Sequence, residues 1–582
     1  MAPDLTDPAG VPPDDLVVDT VAGLIERRSD DDGPALRFEG ATWSWREVVA
    51  ASRLRAGLLA GTGTGGPVHV GVLLENTAEY VFLLAGAALA GAVVVGCNPT
   101  RRGEELARDV RATDCTLLVT DTGHHGLVDG LDLGMAPDRV LCTDTDRYGK
   151  LLDGVTAAPL ASPRPDDLYL LVFTSGSTGT PKAVRMTQGR AARAAVRMPF
   201  TPDDVLYSSM PLFHGNALSS SLLPWMASGA TLVLRRRFSA SGFLPDVREH
   251  RATFMNTVGR AVAHILATEP TPDDGDHDLR YVLGPETAAP DKAEFTRRFG
   301  VPLIEGYGSS EGAIVLNPVG DDHPGALGRL PKGAEAKVVD PATGEERALA
   351  VFDAQGRLTN PDQAVGELIG RSPHSAFEGY YNNPEAEAER LRDGWYWSGD
   401  LAYRDDQGIF YFAGRSGDWL RVDSENFTAA PIERILGRFP GSRGVAVYAV
   451  PDARTGDQVM AALEVDHPDR FDPVAFADFL DAQPDLGTKW VPRYVRLVTD
   501  LPVTGPGKVD KAPLRAQQWS AGDPYWWRPD RTTGYVPMTA DDLAGLRADF
   551  VATGRQGLLH GWTGDDGVGV SRPGPPGGSG PR

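Results

Sequence analysis

The sequence predicts an α/β protein, with layered sheets and helices in a large N-terminal domain and a small α+β domain after it. Segments with the apolar character of strands alternate with helix-like segments from about residue 35 to 340, for example at 68–74, 115–120 and 230–234. Such alternation is typical of largely parallel sheets covered by helices. Between 335 and 412, short strand candidates and turn signals predict a β-rich subdomain, and a second alternating block follows at about 417–515.

The composition indicates a globular protein with more than one core. The chain has 582 residues, 41% of them hydrophobic, which is enough for several domains. Its formal net charge of −22 argues against nucleic acid or an anionic membrane surface as a general partner. Cys97, Cys115 and Cys142 lack the spacing of metal ligands, and the acidic, Pro-rich N-terminus lacks the features of a signal peptide. We therefore expect reduced thiols and a cytoplasmic location.

One apolar stretch, residues 81–96, needs a structural interpretation. It is shorter than the roughly 20 residues that span a bilayer. Its character changes from Ala and Leu to Val, which predicts a buried helix leading into a buried strand rather than a membrane span. The tail 562–582 is rich in Gly, Pro and Ser and is expected to be disordered, because it cannot bury a core.

A loop rich in glycine and hydroxyl groups follows the predicted buried strand 168–173. Glycines let the backbone approach an anion, hydroxyls add donors and lysine adds charge, so this loop predicts a phosphate site. The Walker pattern does not fit, because Pro181 stands at its second glycine and Ala183 follows the lysine. A surface linker is disfavoured by the strand before the loop and the Pro-Lys pair after it. The candidate phosphate-binding residues are Thr174, Ser175, Gly176, Ser177, Thr178, Gly179, Thr180 and Lys182.

This loop resembles the phosphate loop of the adenylate-forming superfamily, which contains acyl-CoA synthetases, nonribosomal-peptide adenylation domains and luciferases. The run Glu305–Glu311, EGYGSSE, resembles that family's next motif. The resemblance implies that Tyr307 stacks on adenine, that Ser310 lies near the α-phosphate and that Glu311 binds Mg²⁺, with Thr174 also beside the metal. One carboxylate suits Mg²⁺, which takes its other oxygens from phosphates and water.

Further segments match family motifs in the expected order. The implied nucleotide-binding residues outside the phosphate loop are Gly284, Pro285, Glu286, Gly306, Gly308, Asp400 and Arg415. Asp400 would bind the two ribose hydroxyls, since a carboxylate only accepts hydrogen bonds. Lys508, in the run LPVTGPGKVDK, would neutralise charge on the α-phosphate during adenylation. His214 would be a gate residue of the acyl pocket, although a lone histidine is more often only structural, and 217–223 would leave room for the acyl chain.

The resemblance divides the chain into an N-terminal adenylation domain, 1–416, and a mobile C-terminal domain with an extension, 417–545. Gly417 falls at the family's hinge, where glycine can absorb a large backbone change. Ser424 stands where acyl-CoA synthetases commonly carry glycine beside the pantetheine path. Because of this departure, the pantetheine of a carrier protein is an alternative to free CoA as the acyl acceptor.

The C-terminal segments 523–530 and 534–539, together with 257–260 and 379–385, resemble fatty-acid-transport-protein-type acyl-CoA synthetases. Actinobacterial steroid-side-chain synthetases are similar too. The expected activity is therefore ATP-dependent ligation of a long-chain fatty or steroid-type acid to CoA through an acyl-adenylate, with Mg²⁺ as cofactor and AMP and pyrophosphate released. The rival classes are a P-loop ATPase or kinase, which releases ADP, and a non-catalytic nucleotide sensor. A homodimer and a peripheral membrane contact stay open.

Overall fold

The computed structural model describes residues 19–559. The exceptions within that span are 64, 156–160, 175–181, 286, 288, 321–322, 324, 355, 357, 372–376, 416–418, 423–424, 454–456, 484–485, 487–488, 505–507, 531–532 and 554. The chain divides into two units. One comprises Met1–Gly417 and Val503–Lys508, and the other Asp418–Pro502 and Val509–Arg582. The predicted hinge residue Gly417, the variant position Ser424 and the tail 562–582 lie outside the described residues.

The first unit begins with two parallel-rich sheets. Their strands are β1 (Pro34–Phe38), β2 (Ala41–Ser44), β3 (His69–Leu73), β4 (Val93–Gly96), β5 (Leu117–Thr120), β6 (Val140–Cys142), β7 (Leu168–Thr174), β8 (Lys182–Thr187), β9 (Val205–Ser208), β10 (Thr231–Leu234), β11 (Phe254–Asn256), β12 (Tyr281–Leu283) and β13 (Leu303–Ile304). One sheet has the order β6-β5-β3-β4-β7-β8 and the other β13-β12-β11-β9-β10-β1-β2. Only the edge pairs β7–β8 and β1–β2 are antiparallel. The prediction of largely parallel sheets is confirmed.

Helices cover these sheets. They are α1 (Val21–Glu26), α2 (Trp45–Gly61), α3 (Ala78–Ala90), α4 (Gly103–Ala112), α5 (Thr122–His125), α6 (Asp146–Asp153), α7 (Gln188–Ala195), α8 (Gly215–Ala217), α9 (Leu223–Ser228), α10 (Ala240–Glu249), α11 (Gly259–Leu266) and α12 (Ala289–Phe299), with a 3₁₀ turn at Pro137–Arg139. A π-helical turn, Leu218–Leu222, joins α8 to α9.

The apolar stretch 81–96 folds as its composition predicts. Thr77 caps α3 by accepting from the amide of Tyr80, and Gly91 ends the helix in the left-handed conformation with φ of 65°. Leu and Ala then give way to the β-branched residues of β4, which is buried along its whole length. No helix in the described part of the chain is both long enough and apolar enough to cross a bilayer.

The β-rich subdomain follows in the same unit. Its strands are β14 (Tyr307–Gly308), β15 (Val315–Leu316), β16 (Ala326–Arg329), β17 (Glu335–Val339), β18 (Gly366–Arg371), β19 (Leu391–Arg392), β20 (Trp395–Arg404) and β21 (Ile409–Arg415), and its helices are α13 (Pro361–Ala364) and α14 (Pro384–Arg390). The main sheet is antiparallel, with the order β16-β21-β20-β18-β17. The change of texture near residue 335 therefore marks a real change of architecture.

The second unit is a separate α+β fold. Its strands are β22 (Trp419–Val422), β23 (Glu425–Thr428), β24 (Ser442–Pro451), β25 (Asp457–Val465), β26 (Tyr494–Val498), β27 (Tyr525–Trp527) and β28 (Val536–Pro537), and its helices are α15 (Ala429–Leu436), α16 (Pro473–Asp481), α17 (Lys511–Gln517) and α18 (Ala540–Ala552), with 3₁₀ turns at Pro468–Arg470 and Gln556–Leu558. Strands β24 to β28 form one sheet in chain order. Two apolar clusters pack against it, one including Ile432 and Phe476 and the other Leu514 and Phe550.

Candidate active site

The candidate site is built on loops that leave the carboxyl ends of parallel strands in the first unit. Strand β7 ends at Thr174, β9 at Ser208, β12 at Leu283 and β13 at Ile304, and each is followed by a segment with a predicted functional motif. In open parallel sheets, ligands bind at this end of the strands. The fold therefore places four predicted motifs, from four parts of the chain, at the carboxyl ends of strands.

Glu311 is held by a tyrosine from the β-rich subdomain. Its carboxylate is 8% exposed, and its Oε1 accepts a 2.9 Å hydrogen bond from the Tyr380 hydroxyl. Burial and then the charge of Glu311 raise the pKa of Tyr380, so the hydroxyl stays protonated and can donate. Tyr380 itself pairs with Val184 of β8 across an antiparallel bridge. One tyrosine thus links the Glu311 motif to the strand that follows the phosphate loop.

Lys182 lies beside the same tyrosine. Its side chain is 5% exposed, and its Nζ is 5.4 Å from the centre of the Tyr380 ring. The Nζ also forms a 3.4 Å ion pair with Glu389, whose side chain is 60% exposed. Because Glu389 is largely solvated, this pair holds the lysine only weakly. The arrangement pairs a buried cation with a largely exposed carboxylate.

The predicted adenine and ribose residues are in direct contact. The Tyr307 hydroxyl donates a 2.6 Å hydrogen bond to Asp400 Oδ2. Burial and then the Asp400 charge raise the pKa of Tyr307. Asp400 lies in β20 opposite Arg415 of β21, and its amide donates to Ser398 Oγ at 3.0 Å. The preceding Gly399 has a φ of 75°, which suits glycine and bends the strand at this point.

Ser310 lies against Gly215, the first residue of α8. A Cβ placed on Gly215 would come within 2.6 Å of Ser310 Oγ, so only glycine permits this approach. The Ser310 carbonyl accepts a 2.7 Å hydrogen bond from Arg190, which also donates to the Arg185 carbonyl. The buried arginine therefore ties the Glu305–Glu311 motif to the segment after β8.

The remaining predicted residues occupy loops and strand ends. Gly284 donates its amide to the Ile304 carbonyl at 3.0 Å, and the Pro285 carbonyl accepts from the amide of Gly259 at 3.0 Å. His214 is half-buried at the start of α8, where its amide donates to the Pro211 carbonyl. Lys508 is half-buried on the loop before α17, and its carbonyl accepts a 2.7 Å hydrogen bond from Thr504.

Gly306 and Gly308 flank Tyr307 at the start of the short hairpin β14–β15, and Thr174 is the half-buried last residue of β7. Six residues of the predicted phosphate loop, Ser175, Gly176, Ser177, Thr178, Gly179 and Thr180, and also Glu286, lie outside the described residues.

The donor set around Glu311 fits a cation that is held mainly by phosphates. Among the residues that the structure describes, there is no cluster of three or more His, Cys, Asp or Glu that could cage a metal. A single carboxylate, with the Thr174 hydroxyl in the predicted second place, matches the way Mg²⁺ binds with nucleotide phosphates.

Comparison with known proteins decides the family. The AMP-binding enzyme family matches residues 26–381, and the AMP-binding enzyme C-terminal domain matches 431–508. The first match covers more than half of the chain. The chain belongs to the AMP-binding enzyme family. The predicted resemblance to adenylate-forming enzymes is thereby confirmed.

This chain aligns with nearly the full length of two relatives. A steroid-22-oyl-CoA synthetase of Rhodococcus jostii is 50% identical over 554 residues, which is 93% of this chain and 99% of the relative. A medium/long-chain-fatty-acid–CoA ligase of Mycobacterium tuberculosis is 43% identical over 518 residues, 87% of this chain and 98% of the relative.

Solved structures share the fold. ATP-bound MatB of Rhodopseudomonas palustris superposes with a TM-score of 0.74 at 24% identity, covering 85% of this chain and 98% of that one. An o-succinylbenzoate CoA synthetase of Bacillus subtilis, bound to its acyl-adenylate, superposes with a TM-score of 0.71 at 23% identity, covering 87% and 98%. The predicted fold class is confirmed.

Sequence reasoning missed four contact residues of the site, one of which is Arg190 beside Ser310. Tyr380 lies in the run 379–385 and Glu389 follows it; from the sequence alone, that run indicates only the branch of the family. Arg390 follows them and donates to the Trp397 carbonyl at 3.1 Å, beside the Gly399 turn. The Gly-Tyr pair before an Asn-Pro helix start was visible in the sequence, but its contact with Glu311 depends on tertiary folding.

Proposed function

We propose that this protein ligates a carboxylic acid to coenzyme A in two steps, through an acyl-adenylate. The observation that carries the proposal is the geometry of the site in a member of this family. Tyr307 is hydrogen-bonded to Asp400, and Tyr380 is hydrogen-bonded to the buried Glu311 while its ring lies beside Lys182. Full-length relatives that are named as CoA synthetases and ligases support the same reaction.

The proposed substrate is a steroid-type acid, with a long-chain fatty acid as the alternative. The relative named for a steroid acyl group is more similar to this chain, at 50% identity, than the fatty-acid ligase, at 43%. The two classes differ in shape, because a steroid acid needs a short, wide pocket and a fatty acid a long, narrow one. Rates of acid-dependent pyrophosphate release, measured with acids of both classes at equal concentration, distinguish the two alternatives.

In the first step the acid carboxylate attacks the α-phosphorus of ATP, and the bond to pyrophosphate breaks. We assign the β- and γ-phosphates to the loop from Thr174 to Lys182, the adenine to Tyr307 and to the 284–286 loop, and the ribose to Asp400 with Arg415. Glu311, with Thr174, would hold Mg²⁺, which when bound neutralises charge on the phosphate oxygens. Lys508 is proposed to stabilise the negative charge that grows at the α-phosphate.

In the second step the sulfur of the CoA thiolate attacks the acyl carbon, and AMP leaves with the bonding electrons. The region 417–545 is proposed as a mobile domain. Its movement would place Lys508 beside the α-phosphate for the first step and remove Lys508 from there for the second. His214 is proposed to gate the acyl end of the site. A cytoplasmic enzyme suits these substrates, since ATP and CoA are both available there.

The test is a product analysis with purified protein. The proposal predicts acid-dependent release of pyrophosphate and AMP, and formation of an acyl-CoA thioester when CoA is present. A thioester formed with the pantetheine of an acyl-carrier protein but not with free CoA would instead support transfer to a carrier protein. Release of ADP would overturn the proposal.

A further inference from the structure

A cluster of polar side chains lies at the carboxyl ends of two neighbouring strands. Ser208 ends β9 and Asn256 ends β11, and the two are register partners in the parallel sheet. Their side chains project on the same face, because Leu206 and Phe254, two residues earlier, both belong to one apolar cluster. The helical segment 215–228 covers this face and contributes Asn216 and Ser221. We call these four residues the polar subsite.

Asn256 fixes the orientation of its own amide. Its Nδ2 donates to the Asn216 carbonyl at 3.4 Å and to Ser221 Oγ at 3.1 Å. A backbone carbonyl can only accept, so the Nδ2 side must face it and Oδ1 must point elsewhere. Asn256 is fully buried, yet Oδ1 has no hydrogen-bond partner in the described part of the chain.

One polar atom in each of two adjoining residues shares this property. Asn216 Nδ2 and Ser208 Oγ are also buried, and neither has a partner among the residues that the structure describes. Leaving one buried polar group unpaired costs about 1–3 kcal/mol. Three such atoms in one cluster are costly, and unpaired groups of this kind mark strain or a role in a bound state.

Asn76 shows what a purely structural asparagine looks like in the same region. Asn76 is 3% exposed and uses its whole amide. Its Nδ2 donates to the Met210 and Arg235 carbonyls at 2.9 and 3.0 Å, and its Oδ1 accepts from the Leu212 amide at 2.9 Å. The chain can therefore satisfy a buried asparagine fully, but at Asn256 it does not.

The polar subsite adjoins the reacting end of the proposed substrate. Asn216 follows Gly215, which makes the close approach to Ser310. Asn216 is only half-buried, so the cluster borders a surface that solvent reaches. Ser221 lies in the π-helical turn Leu218–Leu222. Such turns are rare and occur often at functional sites, because their wider, weaker hydrogen bonding lets the helix shift.

We propose that the polar subsite binds a hydroxyl group on the carbon skeleton of the acid, close to its carboxylate. An alcohol donates one hydrogen bond and accepts others, which complements a residue pair that offers one unpaired acceptor, Asn256 Oδ1, and one unpaired donor, Asn216 Nδ2. Ser208 can take either role. Asn256 is then the residue that selects a hydroxylated acid over its deoxy counterpart. This inference rests on the proposed function and narrows its substrate class.

The test uses short-side-chain steroid acids in matched pairs. Each pair has a hydroxyl on the ring that carries the side chain, or on the adjoining ring, and a deoxy parent. The wild type should favour one hydroxylated acid by about tenfold in kcat/KM, as one added hydrogen bond allows. Asn256→Leu should bring that ratio close to one, mainly by raising KM for the hydroxylated acid. Non-reactive acyl-adenylate analogues of the same pair should show the same change in Kd by calorimetry.

Asn76→Leu is the matched control. It removes three formed hydrogen bonds, so it should lower the melting temperature more than Asn256→Leu does, while the hydroxyl-to-deoxy ratio stays as in the wild type. An equal loss of kcat/KM for both acids in Asn256→Leu would overturn the proposal. So would a wild type that prefers no hydroxylated acid, because the unpaired atoms would then serve only to bind a water molecule. A wild type that releases no pyrophosphate with any acid would instead contradict the proposed function itself.

Discussion

The hydroxyl of Tyr380 donates to Oε1 of Glu311 at 2.9 Å, and the ring of the same tyrosine lies 5.4 Å from Lys182 Nζ. Two residues with proposed roles at the phosphates are thus positioned by a third that touches both. Such a tyrosine fixes the direction of the Glu311 carboxylate before ATP binds. Preorganisation of this kind lowers the cost of binding charge at the moment of reaction.

Tyr380→Phe should therefore lower kcat/KM for adenylate formation by about 10- to 100-fold, since hydrogen bonds to charged groups contribute about 1.5–3 kcal/mol. The Mg²⁺ concentration needed for half-maximal rate should rise, and Mn²⁺ binding to the protein with ATP, followed by its spectroscopic signal, should weaken. Tyr381→Phe is the control, because the Tyr381 hydroxyl bonds to Asp114 at 3.0 Å on the exposed side. An unchanged Mg²⁺ requirement in Tyr380→Phe would refute the positioning role.

Asp400→Ala should weaken ATP binding by removing the acceptor proposed for the ribose hydroxyls. The discrimination between ATP and 2′-deoxy-ATP should shrink from about tenfold or more to near one, because the lost contact is specific for that hydroxyl. Asp405→Ala offers a matched comparison in the next turn of the same hairpin. Asp405 accepts from two backbone amides and from the Tyr411 hydroxyl, so its loss should lower the melting temperature without changing the nucleotide ratio.

Lys508→Ala should abolish adenylate formation while sparing thioester formation from a supplied acyl-adenylate. The expected loss in the first step is at least a hundredfold, because this lysine is proposed to stabilise charge that exists only in the transition state. Lys511→Ala controls for loss of a nearby positive charge, since Lys511, the first residue of α17, pairs with Glu433 at 2.8 Å. Equal losses in both partial reactions would contradict the division of labour between them.

The sequence allowed the framework of the site to be predicted, because its signals are local. The helix Ala78–Ala90 with the strand after it, and the loops after β7, β12 and β13, follow from apolar runs that stop at a glycine or a polar residue. The composition change near residue 335 likewise predicted a β-rich subdomain, and the structure shows that its main sheet is antiparallel.

Contacts between distant segments could not be predicted in this way. Tyr380 meets Glu311 across 69 positions of sequence, and Asn256 meets Ser221 across 35. No periodicity or turn signal specifies such pairs. The π-helical turn Leu218–Leu222 was also hidden, since its leucines and serines suit an ordinary α-helix equally well. The sequence therefore located the site, but it did not show which side chains contact one another within it.

The most direct test of the account is the product balance of the purified enzyme with ATP, Mg²⁺ and steroid or fatty acids, measured with and without CoA. AMP and pyrophosphate should form in equal amounts only when an acid is present, and one acyl-CoA should appear per AMP when CoA is added. Formation of ADP and phosphate, or AMP release that does not depend on the acid, would contradict it.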